Sequence, residues 1–143
     1  MRGGLAGLAL LLLPCFVSGG FQVTSGANRC HVTNGGNCVT DGSGNYGNYE
    51  RCSIRATSNQ RVTASYFSTE SYWDYIRIGN TKYSGTRRPQ NVYMSSGSYM
   101  TWYTDGSVTR PGFTICATGA YPPPTSPLPP PPPPPSPGPP LPR

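Results

Sequence analysis

Along the middle of the chain, apolar and polar residues alternate over short distances. Segments 61–67 (RVTASYF), 75–79 (YIRIG), 91–94 (NVYM), 98–104 (SYMTWYT) and 113–117 (FTICA) have period-two patterning or are rich in β-branched and aromatic residues. Each reads as a strand. Between them stand turn formers such as NGG (34–36), DGSGNYGN (41–48) and SGTRRP (84–89), where Gly, Asn, Asp and Pro supply backbone conformations that other residues resist. No stretch places apolar residues at helical spacing. Short strands with frequent turns over about a hundred residues predict an all-β fold, an antiparallel sandwich.

The two ends depart from this pattern. Residues 1–19 open with Met1 and Arg2, continue through the apolar run LAGLALLLLPCFV (5–17) and close on small residues, which is the layout of a signal peptide. That run falls short of the roughly 18 apolar residues of a spanning helix, and no later segment approaches it, so no transmembrane segment is expected. In 122–143, 15 of the 22 residues are proline. Proline fixes φ and donates no backbone hydrogen bond, so the tail at 119–143 is expected to be disordered or a polyproline II spacer, outside any core. Its PxxP patterns suit intracellular grooves, which conflicts with a signal peptide. Its composition instead resembles the proline-rich spacers of secreted and cell-wall glycoproteins of algae and plants. The folded domain is thereby confined to 21–118.

Charge and cysteine content narrow the function. The chain carries 11 Lys+Arg against 5 Asp+Glu. Loss of residues 1–19 removes Arg2 and Cys15, leaving a net charge of 10 − 5 = +5 and four cysteines: Cys30, Cys38, Cys52 and Cys116. An even number in a small secreted domain predicts two disulfides, and four cysteines allow three connectivities among which spacing does not choose. With no CxxC and a single histidine, His31, a zinc site is disfavoured. The basic residues are interleaved with Tyr and Trp, a composition suited to nucleic acid or an anionic polysaccharide. Secretion argues against nucleic acid; Arg87 and Arg88, in a turn, are the candidate anion contacts, and the alternative is dispersed solubilising charge. Catalysis lacks a base, since His31 adjoins a cysteine expected to be oxidised, and the chain is not expected to be an enzyme.

The acids are Asp41, Glu50, Glu70, Asp74 and Asp105. If Glu70, Asp74 and Asp105 converge, their repulsion must be relieved by a proton or a cation. Calcium suits such a set because it takes 6 to 8 hard oxygen ligands in irregular geometry. Alternatively, Glu70 and Asp74 are solvated residues flanking a turn, paired with Arg77 or Arg55.

Four segments, NYGNYERCSI (45–54), FSTESYWDYIRIG (67–79), YSGTRRP (83–89) and WYTDGSVTRPGFTI (102–115), resemble in order the signature segments of a CUB domain. The resemblance implies a jelly-roll-like sandwich and an extracellular binding module. It implies calcium (Ca2+) held by Glu70, Asp74 and Asp105, with the Ser107 backbone carbonyl completing the set and Tyr46 lining the site. It also implies that Glu70 and Asp74, beside Tyr46, accept a basic side chain from a protein ligand. The family's first disulfide falls on Cys30 and Cys52, which leaves Cys38 with Cys116; Cys38–Cys52 with Cys30–Cys116 is the alternative. The family's second bridge falls on Ser71 and Ser84, where this chain has no cysteine.

The expectation is a secreted, calcium-dependent CUB-like module that binds an extracellular protein ligand or an anionic polysaccharide. Two alternatives stand beside it: a structural extracellular-matrix or cell-wall protein on a proline-rich stalk, and a fragment of a larger secreted multidomain protein such as a protease.

Overall fold

The computed structural model describes residues 20–120 and 130–138. The expected signal peptide at 1–19 and most of the proline-rich tail lie outside the described residues. Pro130 to Gly138 are exposed and carry neither helix nor strand.

Among the described residues, ten strands form two five-stranded antiparallel sheets, an all-β sandwich. They are β1 (Phe21–Ser25), β2 (His31–Thr33), β3 (Cys38–Thr40), β4 (Arg51–Ala56), β5 (Gln60–Ser68), β6 (Tyr75–Ile78), β7 (Thr81–Tyr83), β8 (Val92–Met94), β9 (Tyr99–Tyr103) and β10 (Gly112–Ala120). One sheet has the order β1-β4-β9-β6-β7 and the other β2-β3-β10-β5-β8. All five strands expected from patterning are present. β1, β2, β3, β4 and β7 are additions, and a 3-10 turn (Asn34–Gly36) precedes β3.

Alternation decides which side chains meet between the sheets. Ile54, Ile76, Met100 and Trp102 face inward from the first sheet, and Val39, Val62, Phe113 and Ile115 from the second; all are buried. Trp102 meets Phe113 edge-on, ring centroids 5.1 Å apart, and so joins the two layers. In β5 the alternation changes phase. A bulge between the Tyr66 and Ala64 pairings with β10 adds one residue, so Phe67 turns inward and Tyr66 outward.

The disulfides are Cys30–Cys52 and Cys38–Cys116. The second joins directly paired residues of β3 and β10. The first ties the segment after β1 to β4. Both close loops in a domain with few large aliphatic side chains, where cross-links constrain the unfolded chain most usefully.

Candidate metal centre

β6 and β9 are neighbours, with Tyr75 opposite Tyr103. Asp74 immediately precedes Tyr75, and Asp105 lies two residues beyond Tyr103, so sheet register alone brings the two acids to one end of the sandwich. The Asp105 amide donates to Asp74 Oδ1 at 2.8 Å. Glu70 arrives from the other sheet through the turn after β5. There the Asp74 amide donates to the Glu70 carbonyl at 3.2 Å, closing one turn of chain.

The three carboxylates converge. One oxygen from each of Glu70, Asp74 and Asp105 lies within 4.8 Å of the other two. Asp74 is fully buried, while Glu70 and Asp105 are partly exposed. Glu70 Oε2 and Asp74 Oδ2 are buried without a hydrogen-bond partner, an arrangement that is costly unless a cation or proton fills it. The Glu70 carboxyl is raised above its usual range by desolvation first, then by the charges of Asp105 and Asp74, against the opposing pull of Arg110. These oxygens fit a hard cation: the donor set is all oxygen, anionic, and incompletely satisfied by the protein.

Hydrogen bonds hold the acids in place. The Glu70 amide donates to the Tyr46 hydroxyl oxygen at 2.9 Å, and the phenol lies beside the Asp74 carboxylate. The phenol is raised above its usual range by burial and then by the neighbouring Asp74 carboxylate. Tyr46 is only 4 % exposed and packs edge-on against Trp102. This corrects part of the expected ligand surface. Tyr46 and Asp74 lie beneath the surface and orient the site, and of the pair Glu70 and Asp74 only Glu70 is open to a partner. The alternative of a solvated pair at a turn is likewise overturned for Asp74, which is buried against Tyr46 and the Asp105 amide, while Arg55 and Arg77 belong to β4 and β6.

Asp105 Oδ1 accepts the Ser107 amide at 3.0 Å, which shapes the loop that carries both residues. Ser71 and Ser84, which the sequence resemblance would expect at a second bridge, lie close together: the Tyr72 amide donates to Ser84 Oγ at 3.0 Å, and a β-carbon at Gly85 would strike Ser71 Oγ. Buried Thr69 does the clamping instead. Its Oγ1 accepts from the Gly85 amide at 2.8 Å and donates to the Asp74 carbonyl at 2.9 Å. No pattern around Thr69 announces this role in the sequence, because both partners are supplied by backbone.

The loops around the carboxylates are apolar at their tips. Tyr72 and Trp73, between Glu70 and Asp74, are 87 % and 61 % exposed, and Tyr49 and Val108 are also exposed. Tyr49, Tyr72 and Val108 adopt positive φ (58°, 72° and 54°), a conformation that costs side-chain-bearing residues on the order of 1–3 kcal/mol. The Tyr49 amide donates to the Asp105 carbonyl at 2.8 Å, and its ring lies over Gly106. Strained, exposed side chains thus flank the acids: Tyr72 shares the loop of Glu70 and Asp74, Val108 that of Asp105, and Tyr49 is hydrogen-bonded to Asp105 from the segment before β4.

The remaining two acids serve the fold. Glu50 is buried; its Oε2 accepts the Trp102 indole N–H at 3.0 Å and its Oε1 the Gly47 amide at 2.8 Å, with Arg29 at 3.6 Å. Asp41 Oδ1 accepts the Phe113 amide at 2.7 Å. Burial, partly offset by the Phe113 bond, raises the Asp41 carboxyl to about 6. Arg87 and Arg88, the expected anion contacts, are exposed, and Arg87 lies 5.8 Å from the Tyr83 ring centroid.

No family model matches the chain, and neither curated proteins nor solved structures give a match.

Proposed function

We propose that the protein is a calcium-dependent extracellular binding module of CUB type, with Glu70, Asp74 and Asp105 as the side-chain ligands of the ion and the Ser107 carbonyl as a further donor. The observation that carries this reading is the convergence of three of the chain's five acids within 4.8 Å, with two buried oxygens left unsatisfied. A bound cation would offset their repulsion and lock together the two loops that carry them. Two disulfides, and the absence among the described residues of any helix able to cross a membrane, are compatible with an extracellular site of action.

The partner is a protein presenting a Lys or Arg. Glu70 offers it a partly exposed carboxylate, and Trp73 and Tyr72 offer the aromatic area that dominates protein interfaces and attracts cations. Binding rather than catalysis is the reading the donor set supports: Asp74 and Asp105 each accept a backbone amide, and His31, the one imidazole, stands on β2 at the edge of the other sheet. Calorimetric titration with calcium tests the assignment. One ion per chain is expected, with the heat abolished by Asp105→Ala; a silent titration of the wild type would overturn it.

A further inference from the structure

The outer face of the first sheet carries a second array, separate from the carboxylates. On β4, the Arg51 guanidinium lies 3.4 Å from the ring centroid of Tyr103 on β9. Tyr103 stacks on Tyr75 of β6 with centroids 5.0 Å apart and planes 11° from parallel. On β7, Lys82 Nζ lies 4.1 Å from the Tyr75 centroid. A cation, two rings and a second cation thus run across four adjacent strands, a span of roughly 14 Å at the usual strand spacing. Arg51 Nη1 also donates to the Glu50 and Thr104 carbonyls, which fixes the guanidinium.

Arg77 stands on the same face, directly opposite Lys82 in one direction and Thr101 in the other. Like charges placed opposite each other in a sheet repel, and none of the four strands contains an acid. A shallow groove of about 250 Å³ runs along this face, lined by Arg51, Arg77, Tyr75, Tyr103, Ser53 and Thr101. The fold therefore holds exposed, partly pre-oriented cations beside hydroxyl groups and leaves their charge unmatched.

We infer that this face binds a linear anionic polysaccharide, with Arg51, Arg77 and Lys82 contacting its sulfate or carboxylate groups. Single-stranded nucleic acid fits less well: stacking platforms for bases need open ring faces, whereas Tyr75 and Tyr103 cover one face of each other and Lys82 and Arg51 cover the opposite faces. The site is independent of calcium, since none of the three carboxylates belongs to it.

Retention of the purified protein on immobilised dextran sulfate and on polygalacturonate, with salt elution, tests the inference; the two resins distinguish sulfate from carboxylate recognition. Binding to at least one is expected, unaffected by chelator. Arg77→Ser/Lys82→Ser should weaken it by roughly ten-fold and lower the salt dependence by up to about two charges' worth of counterion release. The same variant should fold with a melting temperature close to that of the wild type, because removal of a repulsive pair offsets the lost Lys82 contact with the Tyr75 ring. Arg87→Ser/Arg88→Ser should leave retention in place. No retention of the wild type, a loss confined to the Arg87/Arg88 variant, a requirement for calcium, or tighter binding to duplex DNA at equal salt would each overturn the inference.

Discussion

Replacing Asp105 with asparagine separates a calcium site from an accidental cluster, because the sign of its effect depends on calcium. The shape is conserved, and the amide oxygen can still accept the Ser107 N–H that Oδ1 accepts in the wild type. What changes is charge. Asp74 and Asp105 present oxygens within 4.8 Å of each other, so their repulsion without an ion is about 1 kcal/mol in a water-like dielectric and about 3 kcal/mol at the effective dielectric near a protein surface. In chelator, Asp105→Asn should therefore stabilise the domain. In calcium the order reverses. An extracellular-type site with a dissociation constant of about 10⁻⁴ to 10⁻³ M stabilises the fold by about 1.4 to 2.7 kcal/mol at about 10 mM calcium. For a domain of this size, that raises the wild-type melting temperature by roughly 6–20 °C. Melting curves followed by circular dichroism in calcium and in chelator should show the wild type overtaking the variant as calcium is added. An equal calcium response in both proteins, or an unresponsive wild type, refutes the reasoning; an equal response to magnesium refutes the choice of ion.

The half-buried Asp41 predicts an acid-side pH dependence. Its carboxyl is raised to about 6 in the fold from 3.8, so the folded state holds the proton more tightly, and stability falls as pH rises from about 4 to about 6 and then levels; after screening, the change is on the order of 1 kcal/mol. Asp41→Asn should flatten that segment of a urea-denaturation profile, and an unchanged profile would remove Asp41 as its source. The disulfides should differ in weight: the separations of 78 and 22 residues correspond in the chain-entropy model to about 4.5 and 3.4 kcal/mol. The Cys38→Ala/Cys116→Ala variant should then unfold at lower denaturant than Cys30→Ala/Cys52→Ala, and the reverse order would show that native contacts outweigh loop closure.

The strands legible in the sequence are those with several large apolar residues in alternation, as in β9, where Met100 and Trp102 point inward. β4 alternates just as regularly in burial, but its inward residues are Cys52, Ile54 and Ala56, and two arginines disguise it. β2 and β7 are three-residue strands at sheet edges, too short for any period. The phase change at Tyr66 and Phe67 is invisible as well, since a bulge is set by the partner strand. At the site, the acids could be picked out because they are scarce: the chain has five, and three of them converge. Their support could not: Thr69, Tyr46 and the Tyr49 ring over Gly106 act through contacts with chain distant in sequence.

Every acid of this basic chain is committed within the fold, and this shapes what its surface can attract. Glu50 and Asp41 are bonded to Trp102 and to backbone amides. Glu70, Asp74 and Asp105 face one another. The first sheet's outer face, with Arg51, Arg77 and Lys82, is left without a carboxylate on four of its strands. A divalent ion at the three acids would reduce their combined charge from about −3 to about −1, making the exterior still more positive. Long-range attraction therefore favours polyanions in either state, whereas the basic partner proposed above would have to be recognised at close range by Glu70 and the aromatic loop tips. If both proposals hold, salt should act mainly on the sheet face and calcium mainly on the loops, and adding dextran sulfate should leave the calcium-dependent rise in melting temperature in place.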